Sequence, residues 1–262
     1  MKQRIITALV LIAIILPCVI IGNIPYQVLV AVIAGTGVFE MLSICDRPKA
    51  NIYLYGIVGI FVFYSLFLVD QLLIPSEIII IYLIVLLTCS MFDSGMDLTR
   101  LGYYFTCGVL IAMGFHMIYQ LRLSYGFEYI LLLALATFGT DTGAYFSGVA
   151  FGKHKLCPRL SPKKTIEGSI GGMLVGTILS AGYGYFIHIG DIPLLLLVVS
   201  CFILTVTSQI GDLTFSSMKR TFEVKDFSQL LPGHGGILDR FDSILFNAMV
   251  FGLLLHFIAM VV

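Results

Sequence analysis

Apolar runs of about twenty residues, repeated along the whole chain with short interruptions, leave few folds open. A hydrocarbon core ~30 Å thick is crossed by about 20 apolar residues in helical form. Lipid offers no partner to unpaired backbone groups, so only helices or closed barrels cross it. Nine spans are predicted, at roughly 5–22, 26–44, 52–69, 74–91, 102–120, 128–151, 168–188, 192–211 and 241–261. Hydrophobic residues make up 59% of the chain and charged residues 11%. A soluble domain of 262 residues has no core large enough to hide that surface. The predicted class is therefore an all-α integral membrane protein, polytopic, with about nine transmembrane helices. Lys2 and Arg4 precede the first run as in a signal peptide. No A-x-A-like cleavage site follows, so the run is read as a retained first span.

The charges support that count. Nine spans place alternate loops on opposite sides. One side then holds fourteen of the fifteen Lys and Arg residues, and the other holds only Arg122. The positive-inside rule makes the rich side cytoplasmic, with the N-terminus inside and the protein in the plasma or inner membrane. Six cysteines are scattered without a C-x-x-C pair, so neither a disulfide framework nor a zinc site is expected.

The chain reads as one membrane domain over 1–262. Residues 1–127 supply scaffold spans. Residues 128–262 form a catalytic half with cytoplasmic loops at 152–167 and 212–240. Glu40 stands out in the scaffold. An acid inside a span is costly and often functional, although Glu40 can equally lie near the interface and reach water. In the seventh span Gly168, Gly172, Gly176, Ser180 and Gly184 recur every four residues. This small-residue ridge suits close helix packing or a subunit interface, so a homodimer is compatible with it.

Nine of the thirty charged residues fall between Gly211 and Asp242. Acids mixed with bases at a bilayer edge suggest a bound metal together with a bound polyanion. If the eighth helix continues past the membrane surface, Asp212, Ser216, Lys219 or Arg220, and Glu223 share one face. A solvated amphipathic helix has the same pattern. Asp239 and Asp242 open the ninth span one turn apart, where carboxylates are favourable on dipole grounds alone. Magnesium binds through one or two carboxylates plus substrate phosphates and water. Asp212 from one helix and Asp239 from another would make such a site. Between them His234 sits among Pro232, Gly233, Gly235 and Gly236. The glycines either let backbone N–H groups approach a phosphate or form an ordinary flexible turn. His234 is a candidate contact to phosphate or base.

Ser161-Pro162-Lys163-Lys164-Thr165 is a second cationic element, either a phosphate site or a topology-setting loop that touches lipid head groups. Thr165 or Ser169 can cap the following helix. Asp141 lies inside the sixth span, about ten residues or ~15 Å from its cytoplasmic end. A lone carboxylate in lipid is expensive, so a water-filled cavity open to the cytoplasm is expected around it.

The run from Ser216 to Asp242, SSMKRTFEVKDFSQLLPGHGGILDRFD, resembles the signature of the phosphatidate cytidylyltransferases, also called CDP-diacylglycerol synthases. SPKKTIEG and TDTGAY are similar to further features of that family. The resemblance covers about residues 137–245. It implies transfer of CMP from CTP to phosphatidate in the bilayer, giving CDP-diacylglycerol and pyrophosphate for phospholipid synthesis. It also implies Mg2+ on Asp212 and Asp239. Ser216 and Asp242 would complete the cluster, with room for a second cation such as K+. Lys163, Lys164, Lys219, Arg220 and Lys225 would neutralise phosphates. Asp226 joins the catalytic group, and Arg240, His234 and Asp141 join the substrate-binding residues. Membrane lipids are expected partners and nucleic acid is not. Two other readings carry a membrane protein with these residues. One is a CTP-dependent polyprenol kinase. The other is an ion-coupled transporter using Glu40 and Asp141, which gives no reason to gather Lys, Arg and glycines beside acids.

Overall fold

The computed structural model describes residues 2–46, 51–93 and 95–261. About 80% of the chain is helical. The α-helices are α1 (Lys2–Ile21), α2 (Asn23–Cys45), α3 (Ile52–Phe67), α4 (Ser76–Phe92) and α5 (Leu98–Gln120). They continue with α6 (Phe127–Phe151), α7 (Ile166–Phe186), α8 (Leu194–Thr221) and α9 (Leu238–Val261). Each overlies one predicted apolar run. Five of the described helices have the length and hydropathy to cross a membrane: α2, α5 with its extension to Tyr125, α6, α8 and α9. Helices α1, α3 and α4 are apolar but carry shorter qualifying stretches. Arg47 and Lys49, counted in the charge asymmetry, lie outside the described residues.

The surface is apolar where a soluble protein would be polar. Ile60, Val149, Leu195 and Phe186 are 72–81% exposed. Such side chains along helix after helix belong in hydrocarbon, because water would drive them together. The chain is an all-α integral membrane protein.

Local chemistry sets the helix ends. The Asp97 carboxylate accepts from the Arg100 N–H and caps α5. Pro75 and Pro193 immediately precede α4 and α8, where a missing N–H costs no helical bond. Helix α8 stops in a Schellman arrangement. The Val224 N–H donates to Lys219 O and the Glu223 N–H to Arg220 O, with Glu223 left-handed at φ 56°. Glu223 therefore leaves the helix, and the expected face ends at Lys219 and Arg220.

Two compact units divide the chain. The first holds residues 1–123 and 226–240, and the second holds 124–225 and 241–262. In the first, Met41, Leu42, Leu54, Val58, Leu66 and Ile111 are fully buried. Tyrosine hydroxyls join its helices. Tyr26 donates to Ile118 O, Tyr103 to Met41 O and Tyr82 to Tyr104 O. The buried Asp46 carboxylate is held by Arg100 and by the Tyr104 hydroxyl.

In the second unit the α7 ridge packs against α6. A Cβ on Gly172 would stand 2.6 Å from Thr140 O and 2.9 Å from the Ala144 Cβ. Only glycine allows that approach, so α6 within the same chain occupies the ridge. Polar side chains link the helices further. Ser169 donates to Gln209, Thr207 to Asn247, and Asn247 to Thr137. Each removes a polar group from lipid by pairing it. The 152–167 segment, expected as a loop, contains a small antiparallel hairpin of β1 (Lys155–Cys157) and β2 (Ser161–Thr165).

Candidate active site

The second unit gathers charge around one lysine. Lys164 on β2 forms an ion pair with Asp212 on α8, and each side chain is about a quarter exposed. Asp141 on α6 is exposed and lies within electrostatic range of both. Three elements thus converge on two acids and one ammonium. Thr140, one residue earlier, is buried against α7.

The hairpin delivers Lys164 by a chain of local causes. The Thr165 hydroxyl accepts from the Gly168 N–H and caps α7. Glu167, ahead of the predicted 168–188 span, accepts from the backbone N–H groups of Lys153 and His154 and bonds His154 Nδ1 at 2.6 Å. The His154 side chain first, then the backbone N–H groups, hold its carboxyl down at about 2. This ties the base of the hairpin to the helix start. The hairpin pairing is irregular between Lys155–Cys157 and Ser161–Thr165, and within it Lys164 meets Asp212. Lys163 is exposed.

On α8 the predicted face is present as far as the helix runs. Asp212, Ser216 and Lys219 follow one another at helical spacing. Lys219 is only 7% exposed, and its Nζ lies 3.9 Å from an Asp242 carboxylate oxygen on α9. A buried lysine requires such a partner. A Cβ on Gly211 would stand 2.7 Å from the Phe246 Cβ, so α8 and α9 cross closely there. Asp212 and Asp242 flank that crossing. Arg220 is exposed and donates to Val224 O at the helix end, and Lys225 is exposed beyond it.

In the first unit the glycine-rich segment is an ordered loop. Leu231-Pro232-Gly233-His234 is a turn closed by the His234 N–H to Leu231 O, with Gly233 at φ 76°. Pro then Gly at its centre is the type II pattern. The Asp239 carboxylate accepts from the Phe227 N–H and the Gly236 N–H, both at 2.9 Å. Arg240 donates twice to His234 O. His234 Nδ1 is buried and has no hydrogen-bond partner among the described residues. Asp226 is exposed at the start of the loop.

Glu40 belongs with this loop. It is 2% exposed and so does not reach water. The signal in the sequence was an acid amid apolar residues, which gave no partner. Asn247, which joins α9 to α6 and α8, carried the same signal as an amide in an apolar run.

Within either unit, no group of three or more His, Cys, Asp or Glu gathers to hold a metal among the described residues. Magnesium does not need one, since one or two carboxylates suffice when phosphates and water complete the shell. Asp212 fits that chemistry. Its hard oxygen donors are partly exposed, and their partner Lys164 is itself a group suited to phosphate.

The cytidylyltransferase family model matches residues 2–258. The chain belongs to the cytidylyltransferase family. The phosphatidate cytidylyltransferase of Bacillus subtilis is 34% identical over 257 residues, covering 94% of this chain and 94% of that one. That of Staphylococcus haemolyticus is 35% identical over 272 residues, 97% of this chain and 99% of the relative. That of Staphylococcus saprophyticus is 42% identical over 166 residues, 63% of this chain and 60% of the relative.

Proposed function

We propose that this chain is a phosphatidate cytidylyltransferase, making CDP-diacylglycerol and pyrophosphate from CTP and phosphatidate. The observation that carries the reading is the convergence of Lys164, Asp212 and Asp141 from three elements of a membrane unit. The full-length likeness to phosphatidate cytidylyltransferases supports the same substrates. A phosphate monoester has its second pKa near 6, so phosphatidate is mostly a dianion at neutral pH and needs no general base. One of its oxygens forms a bond to the α-phosphorus of CTP. The bond from that phosphorus to the bridging oxygen breaks, and pyrophosphate leaves with the electron pair. The work left to the protein is positioning and charge stabilisation.

Lys164 and Lys219 hold phosphate oxygens, with Arg220 and Lys225 at the edge of the site. Asp212 and Asp242 are candidate magnesium ligands within the second unit, and Asp239 is a separate candidate within the first; bound magnesium would neutralise phosphate charge. We infer further that all nine helices cross the membrane. The charge asymmetry supports a cytoplasmic N-terminus and a site open to the cytoplasm, where CTP is found. Labelled CTP is expected to pass its cytidine into a chloroform-soluble product only when phosphatidate is present. A polyprenol-dependent signal or none would contradict this.

Lys164 is paired with Asp212, whereas Lys163 is exposed. A hydrogen bond between charged groups contributes about 1.5–3 kcal/mol. Lys164→Gln is therefore expected to lower kcat/KM by ~10-fold or more, and Lys163→Gln by less than ~3-fold. Rate measurements on purified protein, varying CTP and phosphatidate in turn, decide this. Equal effects would show that both lysines reach the substrate.

A further inference from the structure

We infer that Glu40 is a positioning residue for the reaction, a buried carboxylate on α2 that locks the glycine-rich loop and the start of α9 in place. The inference rests on the proposed function for its catalytic consequence, and on geometry alone for the lock.

The geometry is specific. Glu40 Oε1 accepts from the Ser228 hydroxyl at 2.6 Å and from the Ile237 N–H at 2.9 Å. Glu40 Oε2 accepts from the Leu238 N–H at 2.8 Å. The last two donors belong to the start of α9, whose first N–H groups have no partner within the helix. A cap usually comes from the residue just before the helix. Here it comes from a residue nearly two hundred positions away, with a full negative charge at the positive end of the helix dipole. Three donors on two oxygens satisfy a carboxylate that is only 2% exposed.

Neighbouring residues are shaped to this contact. A Cβ on Gly236 would lie 2.7 Å from both Glu40 oxygens. A Cβ on Gly37, one turn earlier on α2, would press on Leu238 at 3.2 Å. Both glycines therefore serve the approach of the loop to α2. Asp239 closes the same loop from the other side through Phe227 and Gly236. The position of the Asp239 carboxylate thus depends on the loop that Glu40 anchors. A displacement of about 1 Å at a reacting centre can cost ~10²-fold in rate.

The test uses the full-length protein in detergent, with CTP, dioleoyl phosphatidate and magnesium chloride. Glu40→Gln places an amide N–H group against a backbone donor. Its turnover is expected to fall ~10- to 100-fold, with the KM for CTP changing less than ~3-fold. Hydrogen exchange at residues 236–238 should rise ~10-fold or more, while exchange in α2 and α5 stays at the wild-type level. Ser228→Ala, which removes one donor and leaves both helix contacts, should lose less than ~5-fold in turnover. Wild-type exchange at 236–238 in Glu40→Gln would overturn the inference. So would exchange raised equally through α2 and α5, which would make Glu40 an ordinary core residue. If the wild type itself shows no CTP-dependent turnover, the functional reading fails, and the exchange arm still decides whether Glu40 holds the loop.

Discussion

Asp212→Asn is expected to lower turnover by ~10²-fold or more, the loss seen when a charge acting on the transition state is removed. Two effects add. The substitution removes a hard anionic ligand from the candidate magnesium set. It also releases Lys164, whose ammonium is paired with Asp212 in the structure. Asn keeps the size of Asp, and the side chain is only partly covered, so the helix should not lose its packing. The measurement is kcat from labelled CTP at saturating magnesium, alongside thermal unfolding in the same detergent. A midpoint within a few degrees of wild type is expected. Near-normal turnover would remove Asp212 from the chemistry and leave it as a surface partner of Lys164.

Asp239 has two jobs that substitution can separate. Its carboxylate accepts two backbone N–H groups across the loop from Phe227 to Gly236. It is also the first acid of α9 and a candidate metal ligand. Asp239→Ala leaves both donors without their acceptor, a cost of about 1–3 kcal/mol for each. The loop should then lose hydrogen-exchange protection and turnover together. Asp239→Asn keeps one carbonyl oxygen to accept the same donors but carries no charge. If the charge is what matters, this variant should lose ~10²-fold in turnover while its loop stays protected. If Asp239 only clamps the loop, Asp239→Asn should work nearly as well as wild type, and Asp239→Ala alone should fail.

Much of the fold was legible because lipid forces a simple pattern. A run such as Leu194–Ser208 has only one way to satisfy its backbone in hydrocarbon, and α8 takes it. The Thr165 cap was likewise visible, being a threonine directly ahead of an apolar run. The hairpin at 155–165 was not visible. Its five-residue strand SPKKT lacks apolar alternation, and the contact at its base joins Glu167 to His154 across thirteen positions. The end of α8 was misjudged at Glu223, because a left-handed residue after a helix is usually glycine and here is an acid.

At the site, residue types were readable and partners were not. The acids and lysines of 211–242 announced themselves by standing in an apolar chain. Which lysine meets the acids depended on the hairpin, whose irregular pairing no local pattern announces. Glu40 was conspicuous as an acid in a span. Its partners Ser228, Ile237 and Leu238 lie far along the chain, and no local pattern joins them to it.

The central claim is that the chain moves a cytidylyl group, and the fate of each phosphate of CTP tests it most directly. Purified protein would be incubated with phosphatidate vesicles and magnesium, in parallel with CTP labelled at the α-phosphorus and CTP labelled at the γ-phosphorus. The account predicts that the α label enters the chloroform phase and the γ label leaves as water-soluble pyrophosphate. The γ label entering the lipid phase while the α label stays in water would contradict it and make the chain a CTP-dependent kinase.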